Sequence, residues 1–477
     1  MELAAAIRSR EVSSRDVVAA HIELLERANP RINAVVVPRF DAALREAEAA
    51  DALIAERGED PSLPPLLGVP CTIKESIGME GMPNCAGVVA RREVACSRTA
   101  TIARRIVEAG AIPLGLTNTS ELTLWVETEN RVYGRTSNPY DPARSAGGSS
   151  GGEAAAIASG GAPFGLGTDL GGSIRIPAFF NGIFGHKPSR HLVPATGLYP
   201  PATGITGELN ACGPLARRAC DLMPALRAIA GPDGEDAVTE QMALQDPSEV
   251  PLESLRVVIS DGATLAPTSP ELAAARERAA GALAAAGARL ERISMGSLRR
   301  ALDIYLTVLS TAGGVNLREL IEEAGGEPPT WPASFRRDSP HTAATRLSLI
   351  AERVAALAPR RRSERVLAAR EAFTEELCAT IGDGVLLHPP APKIAPRHGR
   401  TVGRIWWIQP MIVFNLAGLP VTQTPLGLGK RGLPLGVQVA AGPGRDHVSI
   451  AVGLELERVF AGWTPPEAAA GQVLSRL

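Results

Sequence analysis

The sequence is poor in the residues and motifs that would mark a metal, disulfide or nucleic-acid protein. Only six cysteines occur in 477 residues, at positions 71, 85, 96, 212, 220 and 378, and none forms a C-x-x-C pair. No disulfide framework is expected, a reducing compartment is the default, and each thiol reads as a small buried hydrophobe. The seven histidines are scattered, with no H-E-x-x-H, no Cys/His cluster at ligand spacing and no Walker A loop. Aromatics make up 4%, and 49 basic residues face 51 acidic ones for a net charge of −2. No basic stripe interleaves with aromatics, so nucleic acid is not an expected partner. The arginines at 360–362 stand among Glu and Ala and read as a solvated helix face. No apolar run of about twenty residues exists, so no spanning helix is expected. The first residues, MELAAAIRSREVSS, are too polar for a signal-peptide core. A cytoplasmic location without a membrane anchor is the expectation.

What is present is an ordinary globular balance, 45% hydrophobic and 21% charged. Ser13 and Asp16 read as a capping box before Val17, Val18, Ile22 and Leu25, which recur at helical spacing. A second helix is expected at 41–57 and a third at 99–109, the latter running through Gly110 into a strand at 111–116. Further strands are expected around 69–73 and at 163–168, 255–260, 288–293, 384–387, 420–425 and 435–440. Helices are expected at 153–159, 271–286 and 446–460, and they dominate 298–379. This alternation predicts an α/β architecture with a mixed, largely buried sheet. No repeat or strong linker divides the chain. One domain over 1–477 is expected, with N-terminal helices to residue 60, a core over 61–230 and a helical insertion or lid over 297–380.

Chemistry concentrates in three glycine-rich or apolar strings. The string GGSSG at 147–151 fits the G-x-S-x-G nucleophile elbow, but turn-formers (SNPYDPARSA) precede it where an elbow needs a hydrophobic strand. A Ser-His-Asp hydrolase with Ser149 as nucleophile is therefore a weak reading. His186 in GHKP reads as a hydrogen-bonded, partly buried imidazole in preference to a catalytic one. In GVPCTIKE, Lys74 ends an apolar run; desolvation there would lower its pKa and make a neutral amine available as a base. Alone, Lys74 reads better as a snorkelling or ion-paired lysine. The GGSSGG loop can bring serine hydroxyls close to another group, or simply cap a helix with Ser149 or Ser150. In GTDLGGSIRIP, small residues expose backbone N–H groups that could converge on an oxyanion, with Ser173 placed as a nucleophile would be; a tight structural turn is the plainer reading.

Together and in this order, GVPCTIKES, GGSSGGEAAAIASG and GLGTDLGGSIRIPA resemble the amidase signature family. AFFNGIFGHKPS and the tail GLPVTQTPLGLGKRGLPLGVQVAAGPGRDH resemble its fatty-acid-amide-hydrolase-like branch. The resemblance covers most of the chain and is weakest over 297–380 and at the extreme ends. It implies a large mixed sheet covered by helices on both faces. It also implies that Ser173 is the nucleophile, that Ser149 relays protons from a cis peptide linkage, and that Lys74 is the base. Backbone N–H groups of Leu170, Gly171, Gly172 and Ser173 would form the oxyanion hole, with Asp169 and Arg175 supporting the loop and Ser150 as a secondary hydrogen-bonding residue. Leu170 stands where many relatives carry Thr or Ile; since only its N–H would act, little effect is expected.

The implied reaction passes through an acyl-enzyme and needs no metal or cofactor. Amides such as anilides and acyl amides are the first expected substrates, with carbamates (a urethanase activity) and aryl esters as further small molecules open to the same attack. An ammonia-supplying amidotransferase component is the alternative. The fold by resemblance also supports a homodimer. The branch's membrane-anchored members carry an N-terminal hydrophobic helix that is not found here, which speaks against a membrane lipid substrate. Ile304, Tyr305, Leu309, Trp331 and Phe335 form either a lid or acyl channel or ordinary helix packing. Trp406 and Trp407 either line the pocket or fill the core.

Overall fold

The computed structural model describes residues 2–58, 60–260, 265–310, 316–330, 336, 338–355 and 360–467. Thirteen strands are found among them: β1 (Val35–Pro38), β2 (Pro70–Lys74), β3 (Ile112–Thr117), β4 (Glu129–Asn130), β5 (Gly134–Arg135), β6 (Phe164–Asp169), β7 (Phe184–Lys187), β8 (Ala211–Ala216), β9 (Arg256–Ser260), β10 (Arg289–Ile293), β11 (Val385–His388), β12 (Val421–Leu428) and β13 (Pro434–Ala441). β4 and β5 form a small ribbon; the other eleven make one mixed sheet in the order β1-β3-β2-β6-β8-β7-β12-β13-β11-β9-β10. The pairs β3–β2, β2–β6, β11–β9 and β9–β10 are parallel and the rest antiparallel.

All the expected strands lie in this sheet, displaced at most by a few residues at their ends. Three of its strands were not anticipated. β1 is short and edge-like, β7 reads FGHK, and β8 carries Cys212, Gly213 and Pro214, which look like a turn. The helix Ser14–Ile32 starts where Ser13 Oγ accepts from the Asp16 N–H (3.0 Å). The helices Phe40–Arg57, Thr101–Glu108, Gly151–Ala158, Pro270–Ala285 and Asp446–Phe460 match the expected segments.

Strand alternation decides what packs where. In the second half of the sheet, Val258, Leu386 and Ala440 point to one side and join residues of the helices Ala301–Ser310, Arg360–Ile381 and Gln409–Ala417. Their neighbours Val257, Ile259, Leu387 and Val439 point to the other and join the helices Pro270–Ala285 and Asp446–Phe460. In the first half, Ile73, Leu116 and Leu166 pack toward the helices Thr101–Glu108 and Leu222–Ile229. Helices thus cover both faces, and each fully buried aliphatic side chain contributes about 1.5–3 kcal/mol.

The cysteines divide: Cys71, Cys85 and Cys212 are buried as expected, whereas Cys96, Cys220 and Cys378 are half-buried, and all six are free thiols. Among the described residues no helix is long and apolar enough to cross a membrane. The arginines at 360–362 begin the helix Arg360–Ile381, but their side chains lie outside the described residues.

Candidate active site

Because β2 and β6 are parallel neighbours, their carboxyl ends emerge side by side; Ile73 is level with Leu166, so Lys74 arrives beside the Gly167-Thr168-Asp169 end of β6. Ligand sites in open α/β sheets favour such strand ends. On β2, Thr72 and Lys74 share the side opposite Ile73. That side faces the helix Gly151–Ala158 and the serine loop before it. Gly165 and Gly167 let the two layers meet. A Cβ on Gly165 would collide with Glu153 Oε1, and one on Gly167 would lie 2.9 Å from Ser150 Oγ.

Lys74 is fully buried. Its Nζ donates to Ser149 Oγ (2.7 Å) and to Thr168 Oγ1 (2.7 Å). Burial lowers its pKa to about 7, against the raising pull of Asp169 and other acids. The Gly148–Ser149 peptide is cis. The Ser149 carbonyl and the Gly147 carbonyl both accept from Thr128 Oγ1 (3.2 and 2.9 Å), which fixes the loop. The Ser150 N–H donates to the Ser173 carbonyl (3.2 Å) and Ser150 Oγ to the Thr168 carbonyl (3.4 Å), tying the two serine loops together.

Glu153, one turn into the helix, is buried behind Lys74. Its carboxyl accepts from Thr72 Oγ1 and from Thr117 Oγ1, the latter at 2.7 Å. Burial pushes it up to about 7, against the lowering effect of those hydroxyls and of Lys74. Asp169 lies well below the usual carboxylate range: burial would raise it, but Arg175 and Asn415 outweigh that. Arg175 Nε and Nη2 each donate to Asp169 at 3.0 Å; its Nη1 reaches Gln438 Oε1 (2.8 Å) and the Met411 carbonyl (3.0 Å). Asp169 therefore anchors the loop that follows it.

That anchoring narrows the expected oxyanion hole. The Gly172 N–H donates to Asp169 Oδ1 (2.7 Å), and the Ile174 N–H to Asp169 Oδ2 (3.1 Å). Gly172 is committed to its own loop. Among the described residues the N–H groups of Leu170, Gly171 and Ser173 are not so bonded. A cavity of about 290 Å³ opens here, lined by Ser149, Thr168, Leu170 and Ser173 on one side and by residues of the helix Leu317–Glu323 on the other. Tyr305 OH donates to the Leu170 carbonyl (3.2 Å), touching the loop from behind. A larger groove of about 1280 Å³ lies elsewhere, between the helix Glu2–Arg8, Arg218 and Trp463, and contains none of these residues.

A family model described as Amidase matches residues 16–449. The chain belongs to the amidase family. It is similar to fatty-acid amide hydrolase 2-A of Danio rerio, 41% identical over 486 residues, an alignment covering 98% of this chain and 89% of that protein. A glutamyl-tRNA(Gln) amidotransferase subunit of Koribacter versatilis is 30% identical, the alignment covering 96% of this chain and 97% of that protein. The solved structure of 6-aminohexanoate cyclic dimer hydrolase complexed with substrate superimposes with a TM-score of 0.83 at 26% identity, over 98% of each chain.

Within this amidase, Lys74, Ser149, Ser150, Asp169, Ser173 and Arg175 all come together at the joined ends of β2 and β6. Several other candidates do not. His186 is buried between Thr422 Oγ1 and Asp446 Oδ1, 3.0 Å from each, and takes no part in the cavity. Trp407 fills the core and Trp406 is partly exposed; neither lines the cavity. Ile304 and Tyr305 are buried in one cluster with Leu309 against it, Tyr305 alone reaching the site loop through Leu170, while Trp331 and Phe335 lie outside the described residues. The residues that sequence reasoning missed are Thr168 and Glu153. Both stand inside the glycine-rich strings, in GTD and GGE, but only the parallel pairing of β2 with β6 brings them to Lys74.

Proposed function

We propose that this amidase-family hydrolase acts on amides through a Ser173–Ser149–Lys74 relay. The observation that carries the reading is a fully buried lysine amine 2.7 Å from Ser149 Oγ, with Ser149 and Ser173 on one cavity. Near and above pH 7 the amine is neutral in a useful fraction and can take a proton. Ser149 passes Ser173's proton to Lys74 as Ser173 Oγ bonds to the substrate carbonyl carbon. The developing oxyanion is held by the N–H groups of Leu170, Gly171 and Ser173. The relay then returns the proton to the leaving amine as the C–N bond breaks. Water, deprotonated by the same relay, cleaves the acyl-enzyme. Side chains and backbone N–H groups supply every step.

Amides are the first substrate class; carbamates and aryl esters offer the same carbonyl to the same serine. The amidotransferase subunits among the relatives favour one second reading, in which the chain releases ammonia from glutamine for a partner. Both are tested by a panel of an anilide, a long-chain amide, an aryl ester, a carbamate and glutamine, with Ser173→Ala beside the wild type. Cleavage of the first four classes without a partner, lost in the variant, supports the hydrolase. Turnover of glutamine alone, or of nothing until a partner is added, replaces it with the second reading.

A further inference from the structure

Two residues beyond Lys74, the chain places a hydroxyl that none of the described residues uses. Ser76 is 2% exposed, its Oγ has no hydrogen-bond partner among the described residues, and it lines the catalytic cavity. An unmade bond at a buried hydroxyl costs stability, which is tolerable where a ligand supplies the partner. The backbone around it is fixed. Glu75 accepts from the Cys85 and Ala86 N–H groups (2.7 and 2.9 Å), and the Tyr199 N–H donates to the Ser76 carbonyl (2.9 Å). Tyr199 lines the same cavity, and its hydroxyl is likewise buried without a partner among the described residues. The Arg91 guanidinium lies over its ring, 3.8 Å from the ring centroid. Arg91 itself also reaches the Asn84 carbonyl and is not among the lining residues.

Across the cavity, Glu319 and Glu323 line the wall from the helix Leu317–Glu323. Four residues apart, they share one helix face. The neighbouring face carries the Arg318–Glu322 pair (3.4 Å), which leaves Arg318 engaged away from them. No arginine, lysine or histidine is found among the described lining residues. The cavity thus offers two unused hydroxyls near the base and two carboxylates opposite. That set suits a hydrogen-bond donor of positive charge and opposes an anion.

We propose that this cavity is a specificity subsite for amides bearing an ammonium group, contacted by Ser76 and Tyr199 and attracted by Glu319 and Glu323, and that it disfavours substrates with a free carboxylate. The proposal rests on the hydrolase reading above and names its substrate class.

The test uses three anilides of equal acyl length ending in methyl, ammonium or carboxylate, assayed at a pH of about 8, where a free amine remains protonated. The wild type should favour ammonium over carboxylate by at least about tenfold in kcat/KM. In Glu319→Gln/Glu323→Gln the ratio should fall below about threefold, while Glu322→Gln, on the outer face, should keep it. Ser76→Ala should lower the ammonium-to-methyl ratio at least about threefold, by loss of one hydrogen bond. A wild-type ratio near one with the methyl anilide still cleaved, or a ratio unmoved by the double substitution, overturns the subsite and leaves the hydrolase standing. If no anilide is cleaved and a fluorophosphonate fails to label Ser173, it is the hydrolase reading that falls.

Discussion

In the layer beneath the cavity floor Lys74, Glu153, Asp169 and Arg175 are all fully buried, whereas at its mouth Glu319 and Glu323 stand on a helix that is exposed along that side. On the floor every charge is matched by neighbours: Asp169 by Arg175 and Asn415, Glu153 by two threonine hydroxyls. One fastening of the mouth is itself buried. Glu121 accepts from the Thr342 N–H (2.7 Å) and Thr345 Oγ1 (2.8 Å), and its other oxygen lies 2.6 Å from His341 Nδ1. That cluster pins the loop bearing Leu122 and Thr123, both at positive φ, to the helix Ala343–Ala355. In a low-dielectric floor a removed partner strands a charge; at the exposed Glu319 and Glu323 of the mouth it changes only a local field. The floor therefore sets the reaction and resists change, and the mouth can be altered without loss of the fold.

The sharpest break of this contrast is at the floor. Ser173→Ala and Lys74→Met should each lower kcat/KM by about 10⁴ or more, as for members of a unit that acts together. A Lys74→Met enzyme within tenfold of wild type in a steady-state assay would remove lysine from the relay. Next in size is Arg175→Met, which leaves the Asp169 charge buried and unpaired. Its stability should drop by about 3–5 kcal/mol in urea unfolding. Arg104→Met, at the exposed Glu108 pair, should leave the midpoint where it was.

The pH profile follows from the lowered lysine. Below about 7 Lys74 is an ammonium and cannot accept a proton, so kcat/KM should rise with pH through that value and then level. Glu153 is also pushed up to about 7, so the assignment needs Glu153→Gln: the rising limb should survive it. At the mouth, Glu121→Gln should raise KM by about fivefold, the effect of a weakened hydrogen-bond cluster, while fluorophosphonate labelling of Ser173 keeps its rate. The smallest effect expected is that of Thr168→Val. Losing one acceptor of the Lys74 ammonium should shift the limb down by up to about one pH unit, resolved by a fine pH series.

How much of this could be read in advance follows the same divide. Lys74, Ser149 and Ser173 were legible because close approach demands glycine, and glycine in GGSSGG and GTDLGGS is visible as text. A strand such as β9 was legible from its Val-Val-Ile run. β8 was not, since Gly213 and Pro214 sit in mid-strand and only its two antiparallel neighbours make it one. The mouth was illegible because its contacts cross great sequence distances, as from Glu121 to His341, and no local pattern announces them. The commitment of the Gly172 N–H to Asp169 was hidden for another reason: a string of exposed-looking amides does not say which one the loop keeps for itself.

The parallel seam between β2 and β6 carries one more consequence. The proposed base and nucleophile, Lys74 and Ser173, are brought in by strands separated in the chain by elements that include the helix Thr101–Glu108, β3 and the helix Gly151–Ala158. Neither half-site has meaning until those non-local pairings form, and non-local pairings are the slow ones in folding. Catalytic turnover should therefore return late in refolding, with the closing of the sheet and after helical signal has recovered. In that sense the enzyme keeps its own clock, and its activity dates the moment the centre of the chain is assembled.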